Sequence, residues 1–105
     1  MQDHSDLKGP FATRRFAPGT GAAQVKPPPW ALSVLVHAPD GEGDVQYASE
    51  GTDGVVFEAG KYATIPDGAG LILPLTSARY GGGVYYVAME GASAECEVTY
   101  FESGA

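Results

Sequence analysis

ALSVLVHA, residues 31–38, is the stretch where a strict period of two first appears in this chain. Leu32, Val34, Val36 and Ala38 fall on one side of an extended backbone, and Ser33, Leu35 and His37 on the other. Successive side chains of a strand point to opposite faces, so this pattern describes a strand with one buried side.

The same reading extends downstream. PDGEGD (39–44) is a turn and VQYASE (45–50) a short strand, followed by GTDG (51–54). VVFEAGKYATI (55–65) divides near Gly60 into two strands, and PDGAG (66–70) turns the chain again. LILPLTSA (71–78) alternates through Leu71, Leu73 and Leu75, but Pro74 donates no ladder hydrogen bond, which assigns the run to an edge or a bulge. Three glycines (81–83) precede VYYVAME (84–90). In AECEVTYFE (94–102), Cys96, Val98 and Tyr100 face inward and Glu95, Glu97 and Thr99 outward. No segment carries a helical stripe, and no βαβ spacing occurs. The expected fold is all-β: an antiparallel β-sandwich or small jelly roll of six to eight strands.

Upstream, the regularity stops. Residues 1–29 contain Gly9-Pro10, Pro18-Gly19, Gly21 and QVKPPPW (24–30), whose three prolines favour a stiff polyproline II rod. The reading is an extended basic N-terminal arm, residues 1–29, attached to an acidic β-sandwich domain, residues 30–105. Charge divides in the same way. The arm holds Lys8, Arg14, Arg15 and Lys26 against Asp3 and Asp6, a net of +2. The body holds two cations against eleven carboxylates, a net of −9, within a chain total of −7. So acidic a body repels nucleic-acid phosphates and anionic membrane surfaces. With Cys96 as its single cysteine, the chain has no internal disulfide and no cysteine-based zinc site, as suits a protein made in a reducing cytoplasm. The opening MQDHSDLKGP lacks the apolar core of a signal peptide, and no apolar run is long enough to span a bilayer.

Chemistry-bearing motifs are fragmentary. Asp40-Gly41-Glu42-Gly43-Asp44 spaces carboxylates like the start of a calcium loop, but Val45 and Gly51 stand where a glycine and a glutamate are required, so an acidic hairpin turn is the better reading. GTGAAQ (19–24) lacks the third glycine of a dinucleotide fingerprint and the strand before it. His37 has no neighbouring nucleophile, and Glu95 and Glu97 read as solvated strand positions. No catalytic residue, cofactor or metal is expected. Half of the Tyr85/Tyr86 and Tyr100/Phe101 pairs, with Tyr47, Tyr62 and Tyr80, would form an exposed aromatic surface fit for subunit contacts or, alternatively, for a glycan.

The body is small and unstapled, so association with other chains is a natural source of stability. The turns PDGEGD and IPDGAG, the loop YGGG and the closing strand ECEVTYFE resemble small virion proteins of tailed bacteriophages, in particular head decoration (cement) proteins. That resemblance implies a non-enzymatic structural protein on the capsid surface, often trimeric, bound to the major capsid protein or other virion subunits through its arm. Lys8, Arg14, Arg15 and Lys26 would then meet acidic patches on the partner, while Phe11, Phe16 and Trp30 fill apolar pockets. The alternative is a carbohydrate- or receptor-binding module of a phage fibre.

Overall fold

The computed structural model describes residues 2–48, 62–75 and 84–102. The expected strands and tyrosine within residues 49–61 and 76–83, Tyr80 included, lie outside the described residues.

Every regular element among the described residues is a strand. In chain order they are β1 (Gln2–Asp3), β2 (Phe11–Phe16), β3 (Ala23–Lys26), β4 (Ser33–His37), β5 (Val45–Ala48), β6 (Ala63–Ile65), β7 (Gly70–Pro74), β8 (Tyr85–Met89) and β9 (Cys96–Phe101). They form two sheets, one ordered β1-β3-β8-β5-β6 and the other β2-β9-β4-β7. All pairings are antiparallel except β1 with β3. One core joins both: Val25, Val45, Tyr47, Ile65, Tyr85, Val87 and Met89 from the first sheet meet Phe16, Val34, Val36, Cys96, Val98 and Tyr100 from the second.

The inward residues read from β4 and β9 are buried, but Ser33 and Thr99, expected on the outward side, are buried as well. Val34 pairs with Tyr100 and Val36 with Val98, all four fully buried. β7 is an edge strand with Pro74 as its last residue, where a missing N–H costs no ladder bond. Its edge position also leaves Leu71 exposed although it lies opposite the buried Val36.

The arm expectation is corrected by the structure: residues 2–29 are not an appendage to a finished body. β2 pairs along its whole length with β9, from Phe11↔Phe101 to Phe16↔Cys96, and β3 pairs with β8. The N-terminal segment therefore supplies strands to both sheets. The prolines are not a projecting rod either. Pro27 and Pro28 are buried, and the Ala31 N–H donates to the Pro28 carbonyl at 3.1 Å, making a turn that carries the chain from β3 in one sheet to β4 in the other. A crossing between sheets needs no ladder donors, so proline is tolerated there.

His4 pins the beginning of the chain. Its ring has no exposed surface, sits edge-on to Phe16 at 4.9 Å, and shares a 2.5 Å hydrogen bond between Nδ1 and the Tyr100 hydroxyl. Tyr100 is in turn 2.6 Å from the Tyr85 hydroxyl, which completes a buried chain from β8 through β9 to the N-terminus. Burial, with the nearby Arg14 guanidinium second, lowers the His4 pKa to about 4, so the ring is neutral at pH 7.

Just beyond, the Trp30 indole donates from Nε1 to the Leu7 carbonyl at 2.8 Å and lies flat against Gly9. A β-carbon on Gly9 would stand 2.9 Å from Trp30 Cδ2. Gly9→Ala should therefore shift the indole and cost about 1–2 kcal/mol, read as a lower denaturant midpoint at unchanged m-value.

Candidate functional site

The surface suited to contact is the outer side of the four-stranded sheet. Strand register places its side chains in rows. Phe11, Phe101, Ser33 and Pro74 form the first, Thr13, Thr99, Leu35 and Ile72 the second, and Arg15, Glu97, His37 and Gly70 the third. Neighbouring strands stand about 4.8 Å apart, which brings the side chains of a row within reach of one another. Phe11 and Phe101 pack edge to face at 5.6 Å, and the Thr13 and Thr99 hydroxyls are 3.0 Å apart. Phe11 is 61 % exposed and Ile72 51 %, far more than aromatic and aliphatic side chains on a packed sheet face.

Charge borders this apolar centre on one side. Arg15 donates from Nε to Glu95 Oε1 at 3.0 Å and lies 3.6 Å from Glu42 Oε1, which also accepts the Glu95 N–H. Glu97 sits opposite Arg15 in the register, and Glu102 follows Phe101. Three carboxylates around one guanidinium, with Glu102 beyond Phe101 at the other end of the face, leave the rim acidic.

The residues expected to grip a partner are dispersed. Phe11 alone stands in this face as an exposed anchor. Phe16 is a core residue, and Trp30 is half-buried over Gly9, so neither offers an anchor for another molecule. Arg15 is engaged by Glu95 and Glu42, and Arg14 by Asp6 through two 3.1 Å hydrogen bonds. That bond to Arg14 is the main reason the Asp6 carboxyl lies below its ordinary pKa. Lys8 and Lys26 are exposed, Lys26 at the end of β3 on the other sheet.

The tyrosine surface is not formed by the described residues. Tyr47 is buried and stacks on Tyr85 at 5.5 Å, and Tyr86 is buried with its hydroxyl taking a 3.2 Å hydrogen bond from Gln24 Nε2. Burial pushes the Tyr47 phenol up to about 12. Tyr62 is the exposed tyrosine among the described residues, at 38 %.

The acidic turn is clasped to its neighbour. Gly41 and Gly43, both at positive φ, aim their N–H groups at the Asp67 carboxylate at 3.0 and 3.2 Å, while the Asp67 N–H donates to Asp44 Oδ1 at 2.9 Å. Left-handed backbone is what turns those two N–H groups toward one anion, and only glycine adopts it freely. Among the described residues, no group of three or more His, Cys, Asp or Glu side chains is placed to hold a metal ion. Burial raises the Cys96 thiol to about 12, so it stays protonated at neutral pH.

Leu35, Ile72 and Phe101 were missed as site residues. Leu35 carried a signal, since an apolar residue on the polar side of an alternating strand marks a second contact face. Ile72 and Phe101 acquired their place through cross-strand register. Comparison of the chain with protein-family models, with curated proteins and with solved structures found no match.

Proposed function

We propose that this chain is a non-enzymatic structural subunit, a small antiparallel β-sandwich that seats on a larger protein assembly through the outer face of β2-β9-β4-β7. The observation that carries the reading is an apolar cluster on an otherwise acidic molecule, exposed Phe11 and Ile72 with half-buried Phe101 and Leu35 between them. Charge selects the occupant. A protein of net charge −7 with an acidic rim fits a surface that is apolar at its centre and basic around it, and repels both phosphate backbones and a copy of itself at this face. The phage-like turns and closing strand direct the reading to a virion. The chain then acts as a head decoration protein on the major capsid protein lattice, made in the host cytoplasm and carried on the capsid surface. Trimeric association away from this face would multiply a modest single contact. The contact is placed on the sheet face and not on a free arm, because Phe16 lies in the core, Arg14 and Arg15 are paired with carboxylates, and Phe11 stands in the β2 face. The glycan-binding alternative has less support, because Tyr47, Tyr85, Tyr86 and Tyr100 are all buried.

The test is binding to expanded heads that lack their decoration protein. Phe11→Ser and Ile72→Ser each remove exposed apolar area, so each should weaken binding about tenfold while leaving the melting temperature within a few degrees. Added salt should slow association, as expected for an acidic rim meeting a basic one. Undiminished binding by the double variant, or no binding of the wild-type chain to such heads, overturns the reading.

A further inference from the structure

The geometry points to an acid-sensitive strap: residues 2–9 are latched onto the fold by the buried His4 ring and unlatch when that ring takes up a proton, so that β1 leaves its sheet edge while β2–β9 stay folded. This is independent of the capsid reading.

The strap is held at few places. β1 is a two-residue edge strand in the register Gln2↔Val25 and Asp3↔Lys26, extended by the His4 N–H donating to the Lys26 carbonyl at 2.9 Å. The Leu7 N–H closes a turn onto the His4 carbonyl at 3.1 Å, and the Leu7 carbonyl accepts from Trp30. Asp3, Asp6, Lys8 and Gly9 are exposed. One fully buried side chain, His4, therefore holds a segment whose other contacts are shallow.

The site accepts a neutral ring and not a charged one. When Tyr85 donates to Tyr100 and Tyr100 donates to His4 Nδ1, every hydroxyl proton in the buried chain is used. The ring proton then lies on Nε2, a buried nitrogen without a hydrogen-bond partner. A second proton would have to go on Nδ1, where it breaks the bond from Tyr100 and reverses the hydroxyl chain. In the opposite sense the second proton falls on the partnerless Nε2. The groups around the ring offer little compensation. Tyr100, with Cys96 beside it, comes from β9, Tyr85 from β8, and Arg14 from β2. Burial holds the two phenols and the thiol in their neutral forms. Arg14 is a cation and opposes a second one. From β3 the Lys26 side chain is exposed. Asp3 and Asp6 on the strap favour the proton but face solvent, and Asp6 is already claimed by Arg14. Withdrawing the ring into water relieves the conflict.

The sign follows from a docked-ring pKa near 4 against the ordinary 6.5. The released strap binds the proton more tightly, so docking is at full strength above pH 6.5 and weakens as pH falls toward 4. Over that window the docking equilibrium should drop by about tenfold to a hundredfold. Asp6 acts in the same direction at lower pH, since protonating it removes its bridge to Arg14.

Amide hydrogen exchange by NMR on the full chain, corrected for intrinsic rate, tests this between pH 7.5 and 4.5. Protection of the His4 and Leu7 amides should fall by about tenfold or more while Val34, Val36 and Val98 keep theirs. The midpoint should follow the titration of the His4 ring, measured on the same sample. His4→Phe should flatten the dependence above pH 5. The inference is overturned if strap protection does not change or falls in step with the sheet amides. It is also overturned if the His4 ring titrates near its ordinary value, a measurement that stands even if the variant fails to fold, or if His4→Phe keeps the wild-type midpoint.

Discussion

Removing residues 1–29 is expected to leave a chain that no longer unfolds cooperatively, not a stable body freed of an arm. The deletion takes β1, β2 and β3. β9 loses a partner paired at every one of its residues from Cys96 to Phe101, and β8 loses its pairing through Tyr85, Tyr86 and Val87. The core loses Phe16, Val25 and the His4 plug, with Ala22 beside them. Burying Phe16 and Val25 alone contributes about 1.5–3 kcal/mol each. The ladder bonds add roughly 0.5–1.5 kcal/mol apiece, against a total stability of about 5–15 kcal/mol for a domain. The exposed flanks of β8 and β9 would then recruit other chains, so aggregation should accompany the loss. Thermal circular dichroism and a proton–nitrogen correlation spectrum read the outcome. A sharp transition within about 5 °C of the full-length protein would show that β1–β3 are dispensable, and would restore the separate arm.

Tyr100→Phe should be the most damaging single-atom change. The Tyr100 hydroxyl bonds both the His4 ring and the Tyr85 hydroxyl in a region without solvent. Deleting it strands two buried polar groups rather than one, at about 2–4 kcal/mol in total. For a domain of this size that lowers the melting temperature by roughly 10–20 °C. Tyr86→Phe is the control. Its hydroxyl has one bond, from the half-buried Gln24 amide, and its loss should cost about 1 kcal/mol or less. Equal losses from the two variants would remove Tyr100 from its place at the centre of the buried network.

The N-terminal strands that escaped notice, β1 to β3, show why reading the chain alone stops where it does. FATRRF does alternate, Ala12, Arg14 and Phe16 against Phe11, Thr13 and Arg15. Its inner side carries an arginine, and a charge on the buried side cancels the apolar stripe that identifies a strand. Arg14 occupies that position because its guanidinium reaches out to Asp6 while its stem stays against the sheet. AQVK is shorter still and is framed by glycines and prolines, so it offers one buried residue, Val25, as its whole signal. His4 had none. A lone histidine in a polar stretch becomes a core residue because the Tyr100 hydroxyl on β9, itself bonded to Tyr85 on β8, lies where its ring can reach it.

Strands β4, β5, β7, β8 and β9, the inward residues of β4 and β9 and the edge status imposed by Pro74 were legible in the linear chain. Each depends on residues one or two apart, and the pleat of a strand translates that spacing directly into a face. Which strands become neighbours was not legible. Phe11 meets Phe101, and Leu35 comes to share a row with Thr13 and Ile72, through hydrogen-bonded pairing between segments far apart in the chain. That choice is made by the packing of the shared core, and the contact face exists only after it is made.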